Sequence, residues 1–168
     1  MKSAENLNEE VIMSVTPGVG SMDESEVMNF IKDSKAGVLT LVDGDRPYGV
    51  PVEHYFDGKS LYFATSSTMG ERKIDCIKNN GNACYVIYDS RREKPELVTK
   101  GILCRSVIIE GQISLVDVKE IDSKELGKFK LQRLKLDVGK IGNWKCPRKT
   151  CDWQKQWFER FPNLVADL

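Results

Sequence analysis

From Tyr48 to Phe56 the chain alternates strictly. Tyr48, Val50, Val52, His54 and Phe56 fall in one register, and Gly49, Pro51, Glu53 and Tyr55 fall in the other. A period of two is the mark of a strand with two unlike faces. Pro51 cannot donate a ladder hydrogen bond, so an edge, a bulge or a ligand is expected at that point. Upstream, Val38–Val42 is apolar and β-branched, and Asp43-Gly44-Asp45 reads as the hairpin turn between the two strands. Downstream, Asp57-Gly58 turns the chain into the strand Leu61–Ala64. Ala83–Tyr88 reads as a further buried strand, Asp89–Lys100 as a polar loop, and Leu103–Val118 as a long strand with a bulge or bend at Gly111.

Helical spacing occurs in four places. Asp23 with Glu26 makes a capping-box start for a helix whose stripe is Val27, Phe30 and Ile31, with Gly37 at its exit. Thr68 with Glu71 makes a second such start, after the hydroxyl-rich run Thr65, Ser66 and Ser67. Ser123–Leu136 places Leu126, Phe129, Leu131 and Leu134 on one helical side, and Asp152–Phe161 does the same with Trp153, Trp157, Phe158 and Phe161. Residues 1–20 show little periodicity. The expected organisation is an N-terminal arm over residues 1–21, a barrel over 22–120, and a helical extension over 121–168 that packs on the barrel or on a dimer partner. Antiparallel strands with one short helix among them argue for a mainly β fold, a small β-barrel with peripheral helices, and against a parallel sheet.

Composition narrows the partners. The 168 residues carry 25 basic and 25 acidic side chains, so the formal charge is zero. Nucleic acid and anionic membrane surfaces usually demand a basic excess, and neither is expected here. No apolar run reaches the roughly 20 residues of a membrane helix, and the first residues lack a signal core, so a cytoplasmic protein is expected. Five cysteines without framework spacing fit reduced thiols.

The candidate chemistry is concentrated between Leu61 and Gly81. Arg72 and Lys73 follow the Thr68 cap, near the positive end of a helix dipole where cations are mildly unfavourable. An anion held by backbone N–H groups, these two cations and the hydroxyls of Thr65, Ser66 or Ser67 would reverse that penalty. The competing reading is a solvated helix start. His54, the single histidine, is either a satisfied core group or a hydrogen-bonding and proton-transfer residue. Cys146 and Cys151 form a C-x4-C pair, for which plain thiols, a metal site and a regulatory disulfide are all considered; no metal is expected. Trp144, Trp153 and Trp157 are read as packing residues, or as a cover for a flat aromatic ligand. No catalytic side chain is assigned.

The order of these motifs is similar to a known family. R-P-Y-x-V-P-V (Arg46–Val52), D-G-x-x-L-Y-F (Asp57–Phe63), G-x-R-K-I-D (Gly70–Asp75), N-x-x-x-C-Y-V and the later R-S-V strand with its glycine resemble the pyridoxamine 5′-phosphate oxidase-like, FMN-binding split-barrel superfamily. The likeness is strongest to its nitroimidazole-resistance branch and covers residues 22 to 118. It implies a six-stranded antiparallel split β-barrel that forms a homodimer, with FMN in clefts at the subunit interface. By the same resemblance Arg72 and Lys73, helped by Thr65, Ser66 and Ser67, would hold the phosphate, and Val50, Pro51, Val52 and Glu53 would line the isoalloxazine. The implied activity is an FMN-dependent oxidoreductase acting on a small molecule, with a donor such as a reduced nicotinamide. The alternatives are a flavin, deazaflavin or haem carrier, and a structural dimer with no ligand. One departure is plain: the branch has His directly after the Tyr-Phe pair, where this chain has Ala64.

Overall fold

The computed structural model describes residues 20–66, 71–90, 104–125 and 127–147. Over these residues the order is α1 (Glu24–Asp33), β1 (Ala36–Asp43), β2 (Arg46–Glu53), β3 (Tyr55–Phe56), β4 (Ser60–Ser66), α2 (Glu71–Asn79), β5 (Asn82–Asp89), β6 (Arg105–Ser123) and β7 (Gly127–Lys145). Every strand pairing is antiparallel, in one sheet of order β2-β1-β5-β6-β7-β4-β3. The expected mainly β fold is therefore present. Six long strands carry it, and the two-residue β3 is a seventh.

The barrel closes at a corner that the sequence presents as one continuous strand. β2 pairs only with β1 and ends at Glu53, whereas β3 begins at Tyr55 and pairs only with β4. Between Glu53 and Tyr55 the chain thus passes from one edge of the sheet to the other. His54 is the corner residue. Its N–H donates to the Lys35 carbonyl at 3.1 Å, and its ring bridges the Ile31 carbonyl and the Tyr85 hydroxyl. Pro51 lies on the β2 edge, where its missing N–H interrupts no second ladder.

The core is the inner face of this curled sheet. Leu39, Leu41, Leu61, Phe63, Tyr85, Ile87, Val107, Ile109, Leu134 and Leu136 are buried there, with Val27, Phe30 and Ile31 of α1 packed against them. Burying a large aliphatic or aromatic side chain contributes about 1.5–3 kcal/mol, so the alternating strands, not helix propensity, supply most of the stabilisation. α1 starts with the expected capping box: Glu26 N–H donates to Asp23 Oδ1 at 2.8 Å, and Asp23 N–H to Glu26 Oε2 at 3.2 Å. It ends earlier than expected, at Asp33, with Ser34 as the cap. Gly37 belongs instead to β1, where the Tyr85 phenol and the Val86 carbonyl fill the space a Cβ would need.

One expectation is overturned. Residues 123–136 are not helical: β6 runs on to Ser123, and β7 takes Gly127–Lys145 into the sheet. The barrel therefore does not stop at residue 120, and residues 121–145 are not a helical extension. Phe129 and Leu131 lie on the outer face of β7, whereas Leu134 and Leu136 lie on the inner face, with Gln132 buried between the two sets. Apolar residues that change face midway through a strand leave a gap of three, and that gap imitates a helical stripe. The arm, most of the Asp89–Lys100 loop and the Asp152–Phe161 segment lie outside the described residues.

Candidate functional site

α2 carries both cations of the expected anion site. The Arg72 guanidinium donates to Asp43 Oδ2 from Nε at 2.9 Å and from Nη2 at 2.7 Å, and it lies 4.2 Å from the centroid of the Tyr48 ring. The hydrogen bonds it donates to Asp43 raise the Arg72 pKa above its ordinary value, so the charge is permanent. The two partners come from the ends of the β1–β2 hairpin, where Asp43 pairs with Arg46 and Tyr48 with Leu41. Lys73 is half-buried on the same helix. The preceding cap is beyond view: Ser67 and Thr68 lie outside the described residues.

The other expected site residues divide by face. Val50 and Val52 are half-buried against the core, whereas Pro51 and Glu53 are exposed. On β4, Thr65 is buried on the same side as Leu61 and Phe63, while Ala64 and Ser66 alternate to the opposite side. The structure thus directs the Thr65 side chain into the barrel and away from the outward-facing groups. The two strands approach one another as the barrel closes, and Tyr85 ties them together. Its ring meets Phe63 of β4 edge-on at 5.0 Å, and its hydroxyl donates to the Val52 carbonyl of β2 at 3.1 Å. Burial pushes the Tyr85 pKa far up, so it stays a neutral phenol.

His54 is held as a satisfied interior group. Nε2 lies 3.0 Å from the Ile31 carbonyl, which can only accept, so Nε2 carries the proton. Nδ1, 2.8 Å from the Tyr85 hydroxyl, is then an acceptor in the neutral ring. Burial lowers the His54 pKa below its ordinary value. Of the candidate thiols, Cys76 is buried and Cys84, Cys104 and Cys146 are half-buried, with no disulfide among the described residues; Cys151 lies outside the described residues, as do Trp153 and Trp157. Among the described residues no His, Cys, Asp and Glu side chains converge as a metal site. Trp144 is exposed at the end of β7.

A cleft of about 580 Å³ opens beside this corner. Glu53 and His54 contribute from the corner, Tyr55 from β3, Tyr62 and Ala64 from β4, Leu131 and Arg133 from β7, and Asp117 and Lys119 from β6. Ala64 is the cross-strand partner of Arg133. Of the expected site residues that are described, only Glu53 reaches this cleft. Sequence reasoning missed Arg133 and Leu131 because β7 had been assigned to a helix. It missed Asp43 and Tyr48 because their link to Arg72 spans 29 and 24 positions respectively and is made only by the fold. No described helix is long and apolar enough to cross a membrane.

A curled antiparallel sheet closed at a corner, with α2 against its first hairpin, is a split barrel of the pyridoxamine 5′-phosphate oxidase type. Residues 23–134 match the family described as pyridoxamine 5′-phosphate oxidase, and the chain belongs to that family. The fold is shared with solved structures of low sequence identity. One, from Corynebacterium glutamicum and provisionally described as a pyridoxamine 5′-phosphate oxidase, is 13% identical, covers 77% of this chain and 98% of its own, and has a TM-score of 0.56. An FAD-binding protein from Mesorhizobium loti is 12% identical, covers 75% of this chain and 96% of its own, and has a TM-score of 0.57. A protein from Bacteroides thetaiotaomicron, provisionally assigned to 5-nitroimidazole antibiotic resistance, is 14% identical over 74% of this chain and 85% of its own, at a TM-score of 0.54. The nitroimidazole-resistance branch is thus one of several distant structural relatives, with no special claim. Among curated proteins none matches this sequence.

Proposed function

We propose that the chain is a flavoprotein that binds FMN at the interface of a homodimer and acts as an oxidoreductase on a small molecule. The observation that carries this reading is the pinned Arg72 guanidinium. Asp43 fixes its Nε and Nη2 and Tyr48 supports its face, which leaves the Nη1 amino group of a rigid, permanently charged donor for a phosphate. Lys73 and the outward side of Ser66 stand on the elements to either side of the intervening loop. The chain's groups therefore fit the phosphate end of a flavin, with the Asp43 carboxylate as an opposing charge already engaged by Arg72.

The β2 edge from Val50 to Glu53 offers the surface along which the ring would lie, with Glu53 at the border of the neighbouring cleft. Tyr85, by bonding the Val52 carbonyl from within, fixes the height of that edge. When bound, the flavin supplies hydride and electron transfer. The chain supplies an anion anchor, a strand edge and a cleft, and none of these needs a nucleophile. A structural relative described as FAD-binding, from Mesorhizobium loti, supports the flavin part of the reading, and FMN is the smallest flavin that carries the phosphate this anchor would hold.

The test is titration of the purified chain with FMN and with FAD, followed by flavin fluorescence and visible absorbance. Quenching by FMN at micromolar concentration, tighter than by FAD, is expected. Reduction of bound flavin by a reduced nicotinamide, with turnover on added acceptors, separates an oxidoreductase from a carrier. A chain that quenches neither flavin refutes the proposal.

A further inference from the structure

The most irregular piece of the sheet borders the cleft. Between Leu115 and Val118 the β6–β7 register shifts, so Val116 and Asp117 have no partner on β7. A bulge of this kind re-aims a side chain. This one is held from inside: Gln132 Nε2 donates to the Asp117 carbonyl at 3.1 Å and to the Arg133 carbonyl at 3.0 Å. Gln132 is only 8% exposed, so a buried polar side chain is devoted to the irregularity. The re-aimed Asp117 carboxylate accepts from Arg133 Nε at 2.7 Å. A bulged strand and a buried glutamine together orient one guanidinium.

Arg133 stands over aromatic ground. Its guanidinium carbon lies 5.7 Å from the Tyr62 ring centroid, and its cross-strand partner Ala64 adds only a methyl group to that face. Tyr62 is in turn 6.4 Å from Tyr55, the two rings inclined at 42°. Tyr55 is 68% exposed, a large ring left uncovered by any described residue.

The charges around the cleft are not equivalent. Asp57 is engaged by the Lys59 and Ser60 backbone N–H groups, and Asp117 by Arg133. Both Arg133 Nη groups and the Lys119 ammonium have no partner among the described residues, nor does the Glu53 carboxylate. The free donors are thus cationic on the β6–β7 side, the walls are aromatic on the β3–β4 side, and one free acid lies at the corner. Guanidinium nitrogens fixed by a carboxylate on Nε present their remaining N–H groups as a fork that matches a second carboxylate.

We propose that this cleft binds a small planar monocarboxylic acid, with its ring against Tyr55 and Tyr62 and its carboxylate on Arg133 and Lys119. Glu53 disfavours a second negative charge, so monoacids bind in preference to diacids. The proposal deepens the flavin reading by naming the substrate class, and it rests on that reading only for the role of the bound acid, not for its binding. Arg133 is the recognition residue and Asp117 a positioning residue.

The probes are 2-naphthoate and its neutral analogue 2-naphthamide, followed by fluorescence anisotropy on the full chain, both flavin-depleted and saturated with FMN. The acid is expected to bind at least about tenfold more tightly than the amide, in line with one charge-assisted hydrogen-bonded pair. Arg133→Gln should abolish that preference with amide binding unchanged. Asp117→Asn, which leaves the Arg133 charge in place but replaces its charged acceptor with a neutral amide, should weaken the acid severalfold, and Arg133→Lys should restore part of the preference. If Arg133→Gln does not fold by circular dichroism, Lys119→Gln and Asp117→Asn carry the same comparison. Equal binding of acid and amide, or a preference that survives these variants, overturns the proposal. Displacement of the acid by FMN also overturns it, because the flavin ring would then itself occupy the cleft. A chain that binds the acid but no flavin leaves the subsite standing and refutes only the flavin reading.

Discussion

The Tyr85 hydroxyl has one proton and two acceptors within reach, His54 Nδ1 at 2.8 Å and the Val52 carbonyl at 3.1 Å. With the imidazole neutral, the single phenolic proton is divided between Nδ1 and the Val52 carbonyl. A protonated ring would donate from Nδ1 instead and release the phenolic proton to Val52. The barrel corner therefore has two hydrogen-bonding states, and the edge strand feels the difference.

That arrangement makes stability depend on pH in a definite direction. Burial depresses the folded His54 pKa below the ordinary 6.5, so below that value the unfolded chain takes up the proton more readily than the folded one. The stabilisation is complete above about 6.5 and is lost as the pH falls through the depressed folded value. Urea midpoints measured from pH 8 down to 5 should fall across that window, and His54→Gln should flatten the fall. Midpoints that rise on acidification would contradict the assignment. Tyr85→Phe should cost about 1–3 kcal/mol at any pH, because it leaves buried acceptors unserved.

The anchor on α2 makes a separate prediction. Arg72→Ala should weaken FMN binding by about 10- to 100-fold, as expected for a lost charge-assisted hydrogen bond, and the double change with Lys73→Ala should weaken it further. The salt dependence of FMN affinity should shrink in parallel. Because Arg72 is on the surface, melting temperature should barely move. An unchanged FMN affinity in the double variant would remove Arg72 and Lys73 from the site.

Two glycines on the β6–β7 hairpin separate close approach from mere occurrence. A Cβ on Gly111 would run into the Asp137 carbonyl, where the register of the hairpin shifts. Gly142 has its nearest neighbour at 4.0 Å, the Ile108 carbonyl oxygen. Gly111→Ala should destabilise by about 2 kcal/mol or more, and Gly142→Ala should stay within about 0.5 kcal/mol. Paired urea titrations check both. Equal effects would mean that the bulge tolerates a side chain.

How much of this was readable beforehand depended on whether a signal was local. The β1–β2 hairpin follows from β-branched runs around Asp43-Gly44, and the α1 start follows from Asp23 and Glu26, because turn and cap chemistry act over a few residues. Gly111 announced a bulge, and the structure has one there. The alternation from Tyr48 to Phe56 was real, but it concealed the corner at His54: the residues keep their period while the hydrogen-bond partner changes from β1 to β4. β7 was misread because Phe129 and Leu131 cover one face and Leu134 and Leu136 the other. The cleft was hidden for the same reason. Ala64 and Arg133 are 69 residues apart in sequence and meet only through the β4–β7 register.

The β6–β7 hairpin outruns its neighbours. β5 leaves β6 at Gln112, and β4 leaves β7 at Leu131, so Glu120–Ser123 and Gly127–Lys130 pair with each other alone among the described residues. A two-stranded ribbon is marginal in water, and amide exchange reports such differences within one fold. Amides of Glu120–Ser123 and Gly127–Lys130 should exchange orders of magnitude faster than those of Val107, Ile109 and Leu134 under native conditions, and uniform protection along the hairpin would contradict this. The Asp117–Arg133 pair sits where the ribbon enters the sheet. Each opening of the tip therefore ends at the residues that orient the guanidinium, and the lifetime of that orientation is set by fraying of the ribbon, not by unfolding of the barrel.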